Sequence, residues 1–442
     1  MAVAFLRSFL GATVMTRRRS TLRPILLLIA GFAYGVGTQA SSTVMRENPM
    51  LHVAAGQLVD GSGRPVQLRC VNLSPWLIPE GYLMGQGSFA ALTTAPSQIK
   101  RRLEAVVGPR ESRAFWESWT DNFADAADFR HLAAEGFNCV RLPFTARTLI
   151  ARGGAGEIEL DPAGIAPVDK AVAWAARDGL YVMLDLHDAP GGQNAVPSVS
   201  DVPSTDRIAR LWVGPTATEN RQQTIALWRA LAARYARARS VGGYDLLNEP
   251  DLPKRVPKSD LPGLYAAITA AIRPVDGFHL LILEGDGYAH DFSLLHSPPA
   301  RNVMYEFHEY ALFNRAWRAP SQRDLAPFLQ LRAATHLPLW LGEFGEGTLE
   351  WQRSMVELMQ ANDIGWAVWP WKRIDLENGH PVIETIHVPE AWHAVAGYLV
   401  GAWLARRPSR PRMERAMASM LQAIRTANCT EDEALERVLA GR

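Results

Sequence analysis

From residue 50 onward, short runs of consecutive apolar residues alternate with longer stretches in which apolar positions recur every three or four residues. The short runs are "PVQLRCVNL" (65–73), "CVRLPF" (139–144), "YVMLDLH" (181–187), "YDLLNEP" (244–250), "LLILEG" (280–285), "VMYEFHEY" (303–310), "PLWLGEFG" (338–345) and "GWAVWPWK" (365–372). Runs this apolar predict strands covered on both faces, as in a parallel sheet flanked by helices. The helical periodicity falls at 163–178, 218–238, 259–273 and 349–361. Eight strands with helices between them predict an α/β fold, a (β/α)8 TIM barrel spanning residues 50–403. A doubly wound sheet is the rival, weakened because no GxGxxG turn follows the first strand. "LHVAAGQLVDGSGRPVQL" predicts an N-terminal β-hairpin with a glycine-rich turn at Asp60–Gly63, and residues 404–442 form a helical C-terminal extension. The stretches 74–110, 188–216 and 311–320 are expected to be loops.

Polar residues crowd at the C-terminal ends of these runs: Arg141, His187, Asn248, Glu249, His308, Tyr310, Glu343 and Trp369. That end of a barrel carries the active site. Strand alternation puts Asp185 with His187 on one face, Glu306 with His308 and Tyr310, and Leu341 with Glu343 and Gly345. Glu249 and Glu343 would then converge over the barrel mouth. Paired carboxylates suit glycoside hydrolysis, one protonating the leaving oxygen while the other attacks the sugar or activates water. Pro250 is expected to hold Glu249 extended at the rim. Asp185, Glu284, Glu306, Glu309 and Glu346 are competing carboxylates, with Asp185 and Glu306 read as core partners and Glu346 as a rim residue.

"NCVRLPF", "DLHDAPGGQN", "LLNEP", "EFHEY", "LWLGEFGE" and "WAVWPWK" occur in the order, and near the spacing, of glycoside hydrolase family 5, the cellulase-like retaining β-glycosidases, which residues 50–400 resemble. "NLSPWLIPEGY" (72–82) is similar to a Pro-Glu-Gly-Tyr segment of some bacterial members. The resemblance implies Glu249 as acid/base and Glu343 as nucleophile, with Arg141 and Asn248 supporting the nucleophile and the sugar 2-hydroxyl. It further implies that His187, His308 and Tyr310 line the reactive subsite, with Tyr310 bonded to Glu343. Trp369 would be the sugar platform, followed by a cis bond that Pro370 makes easier to hold. Asp188 and Pro370 depart from the family's usual residues, which bears on substrate more than on chemistry. Trp76, Tyr82, Phe89, Trp212, Phe313 and Trp317 are further candidates for subsite aromatics.

Composition refines the picture modestly. The 442 residues carry a net charge of +1, which gives no electrostatic reason to expect nucleic acid. The basic run Arg406–Arg412 reads as solvated surface. Three cysteines cannot make a disulfide framework, and Cys70 and Cys139 read as small buried hydrophobes. No metal-ligand spacing such as CxxC or HExxH occurs, and neither metal nor organic cofactor is expected. Arg17–Arg19 and Arg23 precede the apolar run "ILLLIAGFAYGVG" (25–37), so residues 1–40 predict a signal peptide cut near Ser41. The expected protein is a secreted or periplasmic monomer acting on β-linked oligo- or polysaccharide, a glucan or glucoside first. It would meet a membrane only if the N-terminal segment is retained. The alternatives are another β-linked glycan (mannan or a glycolipid), a catalytically silent carbohydrate-binding barrel, or a membrane-anchored interaction protein.

Overall fold

The computed structural model describes residues 50–84, 89–154, 157–311, 318–374 and 380–441. The expected signal segment and cleavage site lie outside them, as do Phe313, Trp317 and the side chain of Phe89. Eight parallel strands close into a barrel: β1 (Arg69–Asn72), β2 (Cys139–Thr145), β3 (Tyr181–Asp188), β4 (Val241–Asp245), β5 (Leu280–Glu284), β6 (Val303–Tyr310), β7 (Leu339–Gly345) and β8 (Gly365–Trp369), with β8 pairing β1. Every residue of β2, β4, β5, β7 and β8 is buried. Their largely apolar composition follows from having a filled interior on one side and helices on the other.

Helices α1 (Pro96–Val107), α2 (Pro109–Phe123) and α3 (Ala126–Ala134) follow β1, so the part of 74–110 from Pro96 onward is helical and not the loop expected. Helices α4 (Pro162–Asp178), α5 (Ala217–Tyr235), α6 (Asp260–Ile272), α7 (Gln322–Thr335) and α8 (Leu349–Gln360) continue the alternation. Local chemistry sets the ends of α4. Asp161 accepts from the amides of Ala163 and Gly164, Pro162 opens the helix, and Gly179 closes it at φ +76°. The N-terminal hairpin pairs His52–Ala54 with Gln57–Val59 through Ala55–Gly56, and the expected turn at Asp60–Gly63 follows, with Gly63 donating to the Asp60 carbonyl and Val59 bridging Pro65.

Strand β4 differs from its expected position. Its regular pairing ends at Asp245, although the Leu246 and Asn248 amides still reach the Ile282 and Leu186 carbonyls of the neighbouring strands, and the chain turns out at Glu249. Gly242 and Gly243, which look like strand breakers, lie inside β4 because a Cβ there would press on Met183 and on the Leu280 carbonyl. Strand β7 carries a β-bulge. Leu341 joins the outer hydrophobic layer with Leu339 and Phe344, so it does not share a face with Glu343. The extra residue is Gly342, where a Cβ would collide with the Glu306 carboxyl group. The bulge turns Glu343 inward at the level of His308.

Cys70 and Cys139 are not separate thiols. They are register partners on β1 and β2, with Cα atoms 4.6 Å apart, and form a disulfide inside the barrel floor. The C-terminal residues form α10 (Arg410–Ala423) and α11 (Glu433–Leu439), following α9 (Glu390–Leu399). They are woven into the molecule: Thr430–Glu431 pairs with Glu384–Ile386, which in turn pairs with Lys372–Ile374 just after β8. Buried Lys372 donates to the Phe123 and Ile424 carbonyls and to Thr426 Oγ1.

Candidate active site

Arg141, fully buried on β2, organises the upper half of the barrel. Its guanidinium lies 3.1 Å from Asp185, 2.7 Å from Asp245, 3.3 Å from Glu284, 3.1 Å from Glu306 and 2.6 Å from Glu343. It also donates to Asn72 Oδ1 (3.1 Å) and Asn248 Oδ1 (2.8 Å). One positive charge cannot balance five negative ones in a dry interior. Burial pushes Asp185 and Asp245 up to about 7, and Glu284 and Glu306 well above the carboxylate range. The cluster therefore keeps protons near neutral pH. Those protons also account for Asp185 Oδ1, Asp245 Oδ1 and Glu306 Oε2, buried oxygens with no N–H or hydroxyl donor among the described residues. Asp185 and Glu306, read as core partners, take that place; Asp245 and Asn72 carried no role in the sequence, although both end strands in register with this layer.

Glu343 accepts from Arg141 Nη1 and, at 2.6 Å, from the Tyr310 hydroxyl. Glu249 is not extended. Its φ of +44° is left-handed, a conformation costing about 1–3 kcal/mol for a residue with a side chain. Two buried side chains hold it there: Glu284 accepts from its amide at 2.7 Å, and Asn194 donates to its carbonyl at 2.9 Å. Gln193 likewise donates to the Asn248 carbonyl at 2.8 Å. These contacts outweigh the extended preference that Pro250 imposes.

His308 lies 3.1 Å from Glu249 Oε1 through Nδ1 and 3.3 Å from Glu306 Oε1 through Nε2. An oxygen of Glu249, an oxygen of Glu343 and a His308 nitrogen all lie within 4.8 Å of one another. Burial lowers His308 to about 3 and His187 to about 4, so both rings are neutral at working pH. Burial raises Glu249 above the ordinary glutamate value. Burial, then the charge of Glu343, raises Tyr310 and keeps its hydroxyl a donor. Glu249–His308–Glu343 and Glu284–Glu306–His308 have the donor types of a metal site, but Arg141 already supplies the cation to Glu284, Glu306 and Glu343.

His187 bonds Asp185 at 2.8 Å and stacks on Trp369, with ring centres 5.3 Å apart and planes 5° from parallel. Trp369 Nε1 donates to the Tyr82 hydroxyl at 2.9 Å, and the Trp369–Pro370 bond is cis. Trp371 turns away, packing edge-on against Phe123 and under Lys372. Of the other aromatic candidates, Tyr82 joins Tyr310 and Trp369 in one cluster. Trp76 stacks on Trp174 in the core, and buried Trp212 donates to the Gln193 carbonyl. Glu346, read as a rim residue, directly follows the C-terminal end of β7 and is buried there. Glu80 was missed. It is 1% exposed, and burial followed by the charges of Glu343, Glu346 and Glu249 raises it well above the usual range. An acid between Pro79 and Gly81 in the apolar stretch "LIPEGYL" is the signal that marks it.

A closed parallel barrel with its ionisable groups gathered at the C-terminal end is an enzyme scaffold. The chain belongs to the cellulase family, glycosyl hydrolase family 5, whose sequence model matches residues 103–374. It is therefore a glycoside hydrolase. A beta-xylosidase of Phanerodontia chrysosporium is 30% identical over 360 residues, 74% of this chain and 71% of the relative. Endoglucanase C of Acetivibrio thermocellus is 25% identical over 321 residues, 60% of this chain and 89% of the relative. A crystal structure of endogalactoceramidase shares the fold, with a TM-score of 0.53 and 24% identity over 74% of this chain and 75% of that one.

Proposed function

We propose that the protein is a retaining β-glycosidase that hydrolyses a β-linked glucan or glucoside by double displacement. The observation that carries this reading is the short gap between Glu249 and Glu343, whose nearest oxygens lie within 4.8 Å. Retaining enzymes hold their carboxyl groups about 5–5.5 Å apart, whereas inverting ones need about 6.5–9.5 Å to admit a water. Glu343, bonded by Arg141 and oriented by Tyr310, attacks the anomeric carbon. Glu249, whose raised proton affinity suits an acid, protonates the departing oxygen. Once Glu343 is esterified its negative charge is gone, and Glu249 then takes a proton from the incoming water. Asn248 Nδ2 has no partner among the described residues and is available to the sugar 2-hydroxyl. Trp369 offers its indole face to sugar C–H groups, His187 keeps the ring nitrogen not bonded to Asp185 for a hydroxyl, and His308 and Tyr310 line the subsite while positioning Glu249 and Glu343.

The endoglucanase relative supports a glucan; the beta-xylosidase relative favours a second reading, a β-xyloside. Assays on matched aryl β-glucosides and β-xylosides separate the two. Glu343→Ala should reduce turnover at least about 10⁴-fold. Glu249→Ala should spare substrates with good leaving groups and recover rate in azide. First-released product of inverted anomeric configuration would overturn the mechanism. For location, we infer export with loss of residues 1–40. The basic-then-apolar N-terminus supports it, as does a disulfide, which persists in oxidising compartments. N-terminal sequencing of the accumulated protein that found Met1 or Met15 would count against cleavage.

A further inference from the structure

The described surface exposes four large hydrophobic side chains, and the two most exposed are neighbours: Trp403 at 91% and Leu404 at 73%. They occupy the centre of a turn closed by the Ala405 amide on the Ala402 carbonyl at 2.9 Å. The turn is braced from both sides. Ala402 donates back to the Gly397 carbonyl at the end of α9, Arg102 on α1 caps Leu399, and Arg407 reaches the Ala105 carbonyl. A well-braced knuckle that holds an indole and an isobutyl group in water loses hydrophobic free energy unless something covers them.

The charge around the knuckle indicates what that something is. Residues 401–415 contain five arginines and one glutamate, in a chain whose net charge is only +1. Arg410 is paired with Glu111 and Glu414. Arg406, Arg412 and Arg415 are exposed and have no carboxylate partner among the described residues. The run read from the sequence as plain solvated surface therefore flanks the most exposed apolar pair described. A polyanion alone would match the arginines and leave Trp403 and Leu404 wet. A neutral polysaccharide would stack on Trp403 and have no use for three unpaired cations or for Leu404. One surface satisfies both features, a bilayer interface with anionic headgroups, where tryptophan and arginine side chains both settle.

We propose that the Trp403–Leu404 knuckle docks this enzyme onto bilayers bearing anionic lipid, with Trp403 and Leu404 entering the interface and Arg406, Arg412 and Arg415 meeting headgroup phosphates. Two apolar side chains and a few cations make a weak, salt-reversible attachment, since stable anchoring takes a stronger pair of signals. Such docking would hold the hydrolase near sugars presented at a membrane, and it does not depend on which sugar the site cleaves.

The test is co-sedimentation of the full chain with vesicles of phosphatidylcholine, with and without roughly a third phosphatidylglycerol. Wild type is compared with Trp403→Ser/Leu404→Ser and with Arg406→Glu/Arg412→Glu. All three proteins carry the same N-terminal segment, so differences between them report the knuckle. Each variant should lower partition onto anionic vesicles by about tenfold or more. Wild-type binding should fall with added salt, and the arginine variant should lose the preference for anionic lipid. Both should keep the wild-type thermal melt, a folding control that does not depend on activity. Unchanged binding by both variants would overturn the proposal. So would loss of binding to insoluble β-glucan with vesicle binding intact, or a shift from dimer to monomer on gel filtration of the tryptophan variant.

Discussion

The two ends of the barrel interior are built from the same strands only two residues apart, yet they are held together differently. The floor is apolar: the Cys70–Cys139 disulfide, Met183, Leu280, Ile282, Met304, Trp340 and Ala367, closed from below by Leu51 and Leu58 of the hairpin. One step along each strand, about 6.6 Å, gives Asn72, Arg141, Asp185, Glu284 and Glu306. The floor draws on buried area and close packing, which losses erode in proportion to the atoms removed. The upper layer draws on one cation shared among several carboxyl groups, so the loss of one member changes what all the others must do.

The sharpest way to break this contrast is Arg141→Met. Without the guanidinium the carboxyl cluster is left buried and uncompensated, and unfolding in urea should show a loss of about 3–5 kcal/mol together with loss of turnover. Next comes pH. Asp185 and Asp245 hold their protons up to about 7 in the folded protein, against an unfolded value near 4. A group raised in this way contributes fully below its unfolded value, and the contribution is lost as pH rises through the folded one. Thermal stability should therefore be greater at pH 5 than at pH 8, with a slope of about 1.4 kcal/mol per pH unit for each proton involved. Asp245→Asn should flatten that slope, and a floor variant should leave it unchanged. Tyr310→Phe removes one hydrogen bond to a charged carboxylate, worth about 1.5–3 kcal/mol, so kcat should fall roughly ten- to hundredfold with little change in melting temperature. Ile282→Val, the mildest, should cost about 0.5–1.5 kcal/mol of stability and leave kcat alone.

The same contrast explains what could be read from the sequence. Strand existence was legible, because coverage on both faces forces apolar runs such as "LLILEG" and "VMYEFHEY". The ends of β4 were not, since Gly242 and Gly243 belong to it only through close approach to Met183 and Leu280, residues distant in the chain. Glu343 was found for a partly wrong reason: alternation from Leu341 fails, and the bulge at Gly342 supplies the missing half-turn. Asp245 and Asn72 escaped because an acid or amide at a strand end signals little until Arg141 and the glutamates are seen around it, and Glu80, well past the end of β1, stood inside a quoted segment without a role of its own. The disulfide escaped because strand register, which places Cys70 beside Cys139, is not written in either run alone.

Lys372 has a consequence for how the molecule breathes. Its ammonium, just past Trp369, holds the ends of α2 and α10 through the Phe123 and Ile424 carbonyls and the Thr426 hydroxyl. Chain ends ordinarily fray first and nearly freely. Here, lifting α10 away would strand a charged group among Trp371 and Phe123, so α10 and the described residues after it cannot open without disturbing the segment that carries Trp369. Amides of α10 and of the strand after Trp369 should therefore exchange with solvent together, as one cooperative unit.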